Sequence, residues 1–233
     1  MRILAFETTA KAGSVALWDG KLLAESYQNT GLTHSQTLLE MAQDMLKSCG
    51  LTPQQVEAVA VAAGPGSFTG VRIGVAAAKG FAWGAEIPCC GVSTLEAMAE
   101  NLGVYEGYVV PVMDARRSQV YNAVFKAEKG VLTRLTEDRA ISLEELGKEL
   151  ETVTCPVFLV GDGSSLTYEA LSRQVQNLVM PPEHKCHQRA AGVALVASRM
   201  LEKGEPCDGT TLTPNYLRLS QAERERMEKQ GTV

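Results

Sequence analysis

Short apolar stretches alternate with turn-forming residues along the first half of the chain. The pattern predicts β-strands at residues 2–8, 14–18, 21–28, 56–63 and 87–92. It predicts three helices: one from Thr33 or Ser35 to near Gly50, one over residues 71–85, and one that begins after Ser93 and ends at Asn101. Asp19-Gly20 is a strong hairpin signal. A meander of three strands followed by crossover helices predicts an α/β unit with a mixed sheet.

The same order of elements recurs in the second half of the chain. Residues 108–114, 118–126 and 131–136 predict a second meander, followed by a helix from Ser142 to Leu150 and a strand at 157–160. Glu7 and Asp114 occupy matching places, each at the end of the first strand of its meander. We therefore expect two related lobes, 1–104 and 105–233, each with a mixed sheet flanked by helices, and a charged tail over 221–233.

The composition limits the functions that the chain can have. Hydrophobic residues make up 45% of its 233 residues, which is enough for a sizeable core. The net charge of −5 argues against a protein whose main task is to grip a phosphate backbone. No apolar stretch reaches membrane-spanning length. None of the six cysteines forms a C-x-x-C pair and no secretory signal is evident, so we expect reduced thiols in the cytoplasm.

A glycine-rich loop links the predicted strand at 56–63 to the helix at 71–85. Its candidate functional residues are Gly64, Gly66, Ser67, Thr69 and Gly70. Backbone N–H groups at a helix N-terminus suit anions, so the loop could be an ancestral phosphate site; a tight turn that requires glycine explains it equally well. No Gly-Lys-Ser/Thr follows, which excludes a Walker A loop, and Pro65 removes a donor from a dinucleotide-type turn.

Two predicted helices carry more apolar surface than a helix on its own sheet requires. Between 71 and 85 the polar seam is narrow, because Arg72 and Lys79 lie seven residues apart and nearly every other direction is apolar or small. The first helix shows a milder excess. Either both helices are enclosed within the chain or they form a subunit interface, and we favour the interface. The residues expected in it are Leu38, Met41, Ala42, Met45, Arg72, Val75, Ala78 and Lys79.

Histidine and cysteine give only weak signals of chemistry. His184, Cys186 and His187 could begin a zinc site, but nothing in the sequence completes it, and a polar loop is the alternative. The chain has three histidines and none lies beside a nucleophile elbow, so a serine triad is not indicated.

Two acids and two arginines at the predicted strand ends have open interpretations. Glu7 and Asp114 could face one cleft as acid, base or Mg²⁺ partner. They could instead cap turns, which we favour for Glu7. Arg116 and Arg117 fit an anion contact and a solvated hairpin equally well.

Six segments, taken in order, resemble the TsaB family, also called YeaZ. They are ILAFETT (3–9), THSQ (33–36), AGPGSFTGVRIG (63–74), GVSTL (91–95), MDARR (113–117) and PNYLR (214–218). The likeness covers essentially the whole chain, and the combination is specific although no single piece is. It implies an actin-like ATPase (ASKHA) fold of two related lobes and a role in making threonylcarbamoyladenosine in tRNA.

The resemblance also implies partners. In that pathway TsaC makes threonylcarbamoyl-adenylate, TsaD transfers the threonylcarbamoyl group to tRNA, and the ATPase TsaE joins the complex. Members of the TsaB family bind TsaD as a non-catalytic subunit and dimerise through the first lobe. We therefore expect a partner and activator of TsaD that forms a homodimer when alone, needs no cofactor and contacts tRNA only indirectly.

One departure from TsaD bears on catalysis. TsaD carries an H-x-x-x-H metal pair where this chain has Thr94 and Met98, and neither side chain replaces an imidazole as a metal ligand. We therefore expect neither a metal nor a catalytic residue. The alternative function is a free-standing ASKHA-type ATPase or phosphotransferase that uses the glycine-rich loop and Asp114. A third, an RNA-binding module, is disfavoured by the acidic net charge.

Overall fold

A computed structural model describes residues 1–31 and 33–218, and the predicted charged tail, 221–233, lies outside the described residues. Within the described part of the chain, two β-sheets are each covered by helices. Both sheets contain parallel and antiparallel strand pairs. An α/β fold with a mixed sheet in each half is therefore confirmed.

The first sheet, as far as the chain is described, has five strands in the order β3-β2-β1-β4-β5. They are β1 (Arg2–Glu7), β2 (Gly13–Asp19), β3 (Leu22–Gln28), β4 (Ala58–Gly64) and β5 (Cys89–Ser93). The central strand β1 pairs antiparallel with β2 and parallel with β4, so that Ile3 lies between Trp18 and Ala58. The predicted meander and the parallel strands after it are confirmed.

The second sheet repeats that arrangement around β6, with seven strands among the described residues. They are β6 (Gly107–Asp114), β7 (Gln119–Asn122), β8 (Phe125–Glu128), β9 (Val131–Arg134), β10 (Arg139–Ser142), β11 (Val157–Val160) and β12 (Leu178–Val179). β6 pairs antiparallel with β7 and β8 and parallel with β11. Glu7 and Asp114 are thus the last residues of the two central strands, as the repeat predicts.

Six α-helices lie in residues 1–31 and 33–218. They are α1 (His34–Ser48), α2 (Phe68–Ala85), α3 (Thr94–Ala99), α4 (Leu143–Leu150), α5 (Ser164–Leu171) and α6 (Ala190–Glu202). α1 has 15 residues and begins after Thr33, one of its two predicted first residues. α4 begins after the predicted Ser142, which forms a capping box with Glu145. α5 and α6 were not predicted. None of these helices is both long and apolar enough to cross a membrane.

Each face of the first sheet has its own hydrophobic core. α1 and α2 cover one face, where Phe6 and Val61 are buried. α3 and α6 cover the other face, where Ile3 and Ala60 pack with Val193 of α6. Because α6 follows β11 in the chain, residues from the second half complete a sheet built by the first half. The lobe boundaries at residues 104 and 105 stay a prediction.

The strand predicted over residues 118–126 is wrong. It is broken after Asn122 into β7 and β8. The buried Asn122 amide donates hydrogen bonds to the carbonyl oxygens of Pro111 and Ala123, at 3.1 and 2.9 Å, which stabilises the break. The break allows β7 to pair with β10 while β8 pairs with β9. The sequence pattern did not predict β10.

The expectation that all the cysteines are reduced is also wrong, because Cys90 and Cys207 form a disulfide. The chain returns from α6 to the edge strand β5, where the Cys89 N–H donates to the Cys207 carbonyl oxygen at 3.3 Å. The free cysteines are Cys49, Cys89, Cys155 and Cys186. Cys89 and Cys90 are neighbours on β5, so their side chains pack on opposite faces of the first sheet.

Candidate functional site

The two sheets bring the ends of their central strands to one cleft. Its volume is about 410 Å³, and residues 9–11, 65–68 and 113–116 line it. Residues 215–218 close a further side. Of the predicted site residues, Gly66, Ser67, Asp114 and Arg116 line this cleft, so the structure brings the glycine-rich loop and the end of β6 together.

The glycine-rich loop packs tightly against this chain's own backbone. Gly64 has a φ of +115°, and a Cβ there would lie 2.6 Å from the carbonyl oxygen of Asn215. A Cβ at Gly70 would overlap the carbonyl oxygen of Thr8. Ser67 caps α2 by accepting a hydrogen bond from the Gly70 N–H at 3.3 Å. Close packing therefore accounts for these two glycines, while Thr69 is exposed on the first turn of α2.

The segment after α6 covers the outer side of this loop. The Asn215 N–H donates to the Ala63 carbonyl oxygen at 2.7 Å. Tyr216 stacks on Phe68, with ring centroids 4.5 Å apart, and its hydroxyl accepts a hydrogen bond from Arg72 Nε at 2.8 Å. Arg72 Cζ lies 3.9 Å from the Phe68 centroid. Arg72, a predicted interface residue, is exposed but is already engaged by its own chain.

Glu7 is buried beneath the cleft. Its side chain is 0% exposed, and Oε1 accepts a hydrogen bond from the Thr9 N–H at 2.6 Å. Oε2 has no partner among the described residues. Burial raises the pKa of Glu7 to about 7, with a smaller contribution from the negative charge of Asp162, and the hydrogen bonds from Thr9 oppose the shift. The turn-capping role favoured for Glu7 is confirmed, and Glu7 does not share the open cleft with Asp114.

Asp114 and Asp162 line the cleft itself. Asp114 Oδ1 accepts a hydrogen bond from the Arg116 N–H at 2.7 Å, so this acid also caps a turn. Asp162 accepts a hydrogen bond from Gln188 Nε2 at 2.8 Å; its loss of solvation raises its pKa, and the charge of Asp114 adds to the shift. Arg117 is exposed in the turn after β6. Across the described ranges, no three His, Cys, Asp or Glu side chains converge as a metal-ligand set.

The loop that holds His184, Cys186 and His187 is tied to its own surroundings. His184 lies in a single 3₁₀ turn, Glu183–Lys185. The Cys186 thiol is buried, 3.4 Å from the carbonyl oxygen of Pro181. His187 Nε2 pairs with Glu183 Oε1 at 2.8 Å. These contacts are those of a polar connecting loop before α6, the alternative to a zinc site.

The helix faces that were expected to meet a partner are buried in this chain's own core. The buried members of the predicted set are Leu38, Met41, Ala42, Met45, Val75 and Ala78. The structure places these six residues inside this chain, which is the alternative to the predicted subunit interface, because α1 and α2 lie on one face of the first sheet and contact each other. Phe6 and Val61 of the sheet share their core. Other residues make the exposed surface of the two helices.

We call the apolar part of that surface the outer face of α1 and α2. It consists of the exposed Leu39, Ala76, Gly80, Trp83 and Gly84, with the partly exposed Phe81 beside them. The other exposed residues of α1, such as Glu40, Asp44 and Lys47, are polar and lie outside it. Trp83 is 87% exposed and Leu39 is 55% exposed. Trp83 is not among the predicted interface residues, although the sequence carries a signal for it. Trp83 follows Arg72 by eleven residues, about three helical turns, and so lies on the polar seam that points away from the sheet.

Two hollows flank the outer face. One, of about 540 Å³, lies between α1 and α2 beside Phe81. The other, of about 680 Å³, lies beside Trp83 and is closed on one side by Asp208. Lys79, the remaining predicted interface residue, lines the second hollow, and its Nζ donates to the Leu212 carbonyl oxygen at 2.9 Å. The outer face is therefore a ridge of apolar side chains between two depressions.

Comparison with known proteins finds relatives over the whole chain. A family model described as TsaD, tRNA N6-adenosine threonylcarbamoyltransferase, matches residues 27–226. The tRNA threonylcarbamoyladenosine biosynthesis protein TsaB of Bacillus subtilis is 32% identical over 232 residues, which cover 99% of this chain and 100% of the relative. The chain belongs to the TsaB family. The Escherichia coli TsaB is 33% identical over 221 residues, 94% of this chain and 95% of that protein.

Solved structures of the TsaB family share the fold. YeaZ from Pseudomonas aeruginosa is 27% identical and superimposes with a TM-score of 0.75 over 93% of this chain and 99% of that one. A protein described as similar to the peptidase YeaZ from Pseudomonas aeruginosa is 26% identical and gives a TM-score of 0.77 over the same shares, 93% and 99%. The actin-like ATPase (ASKHA) fold implied by the resemblance is confirmed.

The start of α3 is where the resemblance separates the TsaB family from TsaD. Thr94 and Met98, which the resemblance places where TsaD has its two histidines, are both 0% exposed. Met98 packs in the core beneath the second sheet with Val160. Neither side chain offers an imidazole nitrogen. These two positions therefore contribute hydrophobic packing and a hydroxyl, which are not the ligands of a TsaD-type metal pair.

Proposed function

We propose that this chain is a non-catalytic subunit that binds and activates TsaD in the synthesis of threonylcarbamoyladenosine in tRNA. Its relatives in Bacillus subtilis and Escherichia coli are named for that biosynthesis. The observation that carries the partner role is the outer face of α1 and α2, where Trp83 is 87% exposed. A large aromatic side chain in that position, beside an apolar hollow, is typical of a protein–protein contact.

The geometry of α2 suits a partner helix. Ala76, Gly80 and Gly84 are exposed around Trp83. A Cβ at Gly80 or Gly84 would meet nothing within 4 Å in the described structure. A second helix can therefore approach the α2 backbone closely while Trp83 and Leu39 supply apolar area. A central tryptophan in such a contact typically contributes on the order of 2 kcal/mol or more to association.

The cleft and α3 support a non-catalytic role for this subunit. Glu7 is buried under the cleft, Asp114 caps a turn, and Thr94 and Met98 replace the TsaD histidines. In this proposal TsaD supplies the transfer chemistry, TsaE joins the TsaD-bound assembly, and the complex works in the cytoplasm. The net charge of −5 fits indirect contact with tRNA through TsaD. When TsaD is absent, the same outer face pairs with a second copy of this chain.

The test is reconstitution of tRNA modification by TsaC, TsaD and TsaE, with and without this chain. Trp83→Asp should abolish co-purification with TsaD and tRNA modification, because it places a charge in the centre of the apolar contact. Val104→Asp is the matched control: Val104 is also highly exposed, at 77%, but lies outside the outer face. Equal TsaD binding by both variants would contradict the proposal.

The purified chain also tests the alternative function, a free-standing ATPase or phosphotransferase, against the partner proposal. That alternative predicts Mg²⁺-dependent ATP turnover by the isolated chain and its loss in Asp114→Asn. The partner proposal predicts no turnover by the isolated chain and unchanged tRNA modification by the Asp114→Asn complex, since the carboxylate caps a turn that an amide oxygen can also cap.

A further inference from the structure

The disulfide of this chain fastens a segment that otherwise has no regular structure of its own. We call residues 207–218 the C-terminal strap; in the described structure it contains no helix or strand. It begins at Cys207, which is bonded to Cys90 of the edge strand β5 across 117 residues of sequence. The attachment therefore joins the strap to the first sheet at the point where the strap starts.

The strap touches two concave regions of the molecule. Asp208, Gly209 and Thr210 line the hollow beside Trp83. Residues 215–218 line the cleft between the sheets. A change in how firmly the strap is held would thus alter the walls of both regions.

Few hydrogen bonds hold the strap between residues 208–210 and residues 215–218. Within it, the Leu212 N–H donates to Asp208 at 3.1 Å, which is a local turn. Two hydrogen bonds join the strap to α2 and β4. Lys79 Nζ donates to the Leu212 carbonyl oxygen at 2.9 Å, and the Asn215 N–H donates to the Ala63 carbonyl oxygen at 2.7 Å. The Leu212 side chain packs against the open backbone at Gly91. At the far end of the strap, Tyr216 stacks on Phe68 and accepts a hydrogen bond from Arg72, and Arg218 donates to the Ala115 carbonyl oxygen. Between Cys207 and Asn215 the contacts are few and partly exposed, so the covalent bond is the firmest anchor of that stretch.

The two cysteine residues differ in their exposure. Cys90 is 0% exposed, whereas Cys207 is partly exposed. A soluble reagent therefore reaches Cys207 first, and Cys90 reacts only from within the protein. This order is that of a site with an exposed attacking thiol and a buried resolving thiol.

We infer that Cys90 and Cys207 form a reversible thiol–disulfide site that closes the C-terminal strap onto the first sheet when oxidised and releases it when reduced. The oxidant is a small-molecule disulfide. The Cys207 thiolate attacks one of its sulfurs, forming a mixed disulfide and releasing one thiolate. The Cys90 thiolate then attacks Cys207 Sγ and releases the second. The two cysteines lose two electrons and two protons, and the reagent becomes two thiols.

The experiment compares the full chain after incubation with oxidised glutathione and after incubation with dithiothreitol. Peptide mapping should show a Cys90–Cys207 cross-link only in the oxidised sample. Hydrogen exchange should show the amides of Leu212 and Asn215 exchanging at least about ten-fold faster in the reduced chain, because loss of the anchor raises the frequency of local opening. Amides of β1 should exchange equally in both samples.

Two variants control the comparison. Cys207→Ser should exchange rapidly in the strap under both conditions, whereas Cys155→Ser, which removes a free and partly exposed thiol elsewhere, should respond as the unmodified chain does. Two results would overturn the inference: no cross-linked peptide in oxidised glutathione, or equal exchange of the strap in the oxidised and reduced unmodified chain. The second comparison uses one sequence, so it does not depend on how a variant folds.

Discussion

Replacing the buried Glu7 by Gln should make this chain more stable at alkaline pH and leave its stability nearly unchanged at acid pH. Glu7 is fully buried and its pKa is raised from 4.5 to about 7. Between pH 4.5 and about pH 7 the folded state therefore keeps the proton on Glu7, whereas the unfolded chain releases it. Above pH 7 the folded state must carry a buried carboxylate, which lowers the free energy of unfolding. Gln keeps the shape of the side chain but cannot ionise.

The size of the effect follows from the shift in pKa. A shift from 4.5 to about 7 is about 2.5 pH units, which corresponds to a free energy of roughly 3 kcal/mol. Since the folded pKa is raised for an acid, the penalty is absent below pH 4.5, grows as the pH rises towards 7, and is complete above it. The Gln amide oxygen can still accept the hydrogen bond that the Thr9 N–H gives to Oε1.

The assay is urea unfolding of the unmodified chain and Glu7→Gln at several values between pH 4.5 and 8.5. The difference in unfolding free energy should increase with pH and level off at roughly 3 kcal/mol above pH 7. Glu169→Gln, an exposed change on α5, serves as the control. A constant difference across the range would refute the reasoning, because it would mean that Glu7 holds the same charge in the folded and unfolded states.

Two further predictions concern packing. Gly70→Ala should lower the unfolding free energy by about 1–3 kcal/mol, because the added Cβ overlaps the Thr8 carbonyl oxygen. Gly84→Ala is the control and should not lower it, because the space around Gly84 is open. Equal melting temperatures of the two variants would contradict this prediction. Val75→Asp and Ala78→Glu should destabilise the isolated chain by on the order of 3 kcal/mol or more, since both sites are buried. A normal thermal melt of either variant, followed by circular dichroism, would show that these sites are not in the core.

The local order of elements could be predicted from the sequence, because periodicity and turn residues act over short distances. The strand at 157–160 and the fifteen-residue α1 are examples. The break at Asn122 could not be predicted in this way. Its amide bonds to Pro111, on the neighbouring strand, and the residue type alone does not reveal that partner.

The partner surface shows why an apolar pattern is ambiguous. Val75 and Ala78 have the composition of a contact surface, yet the first sheet covers them. Trp83, on the polar side of the same helix, is the residue left exposed. Periodicity identifies a face that avoids water but does not say whether the same chain or another one covers it. The pairing of Cys90 with Cys207 was hidden for a similar reason, since it depends on where the chain returns after α6.

That return of the chain has a consequence during synthesis. Residues 1–93 emerge from the ribosome with the five described strands of the first sheet, but the face that carries Ile3 and Ala60 is fully covered only when α6, which contains Val193, has been translated. Until then one side of the nascent sheet presents bare apolar surface to chaperones and to other growing chains. The strands of the first sheet are thus made well before the helix that completes their cover.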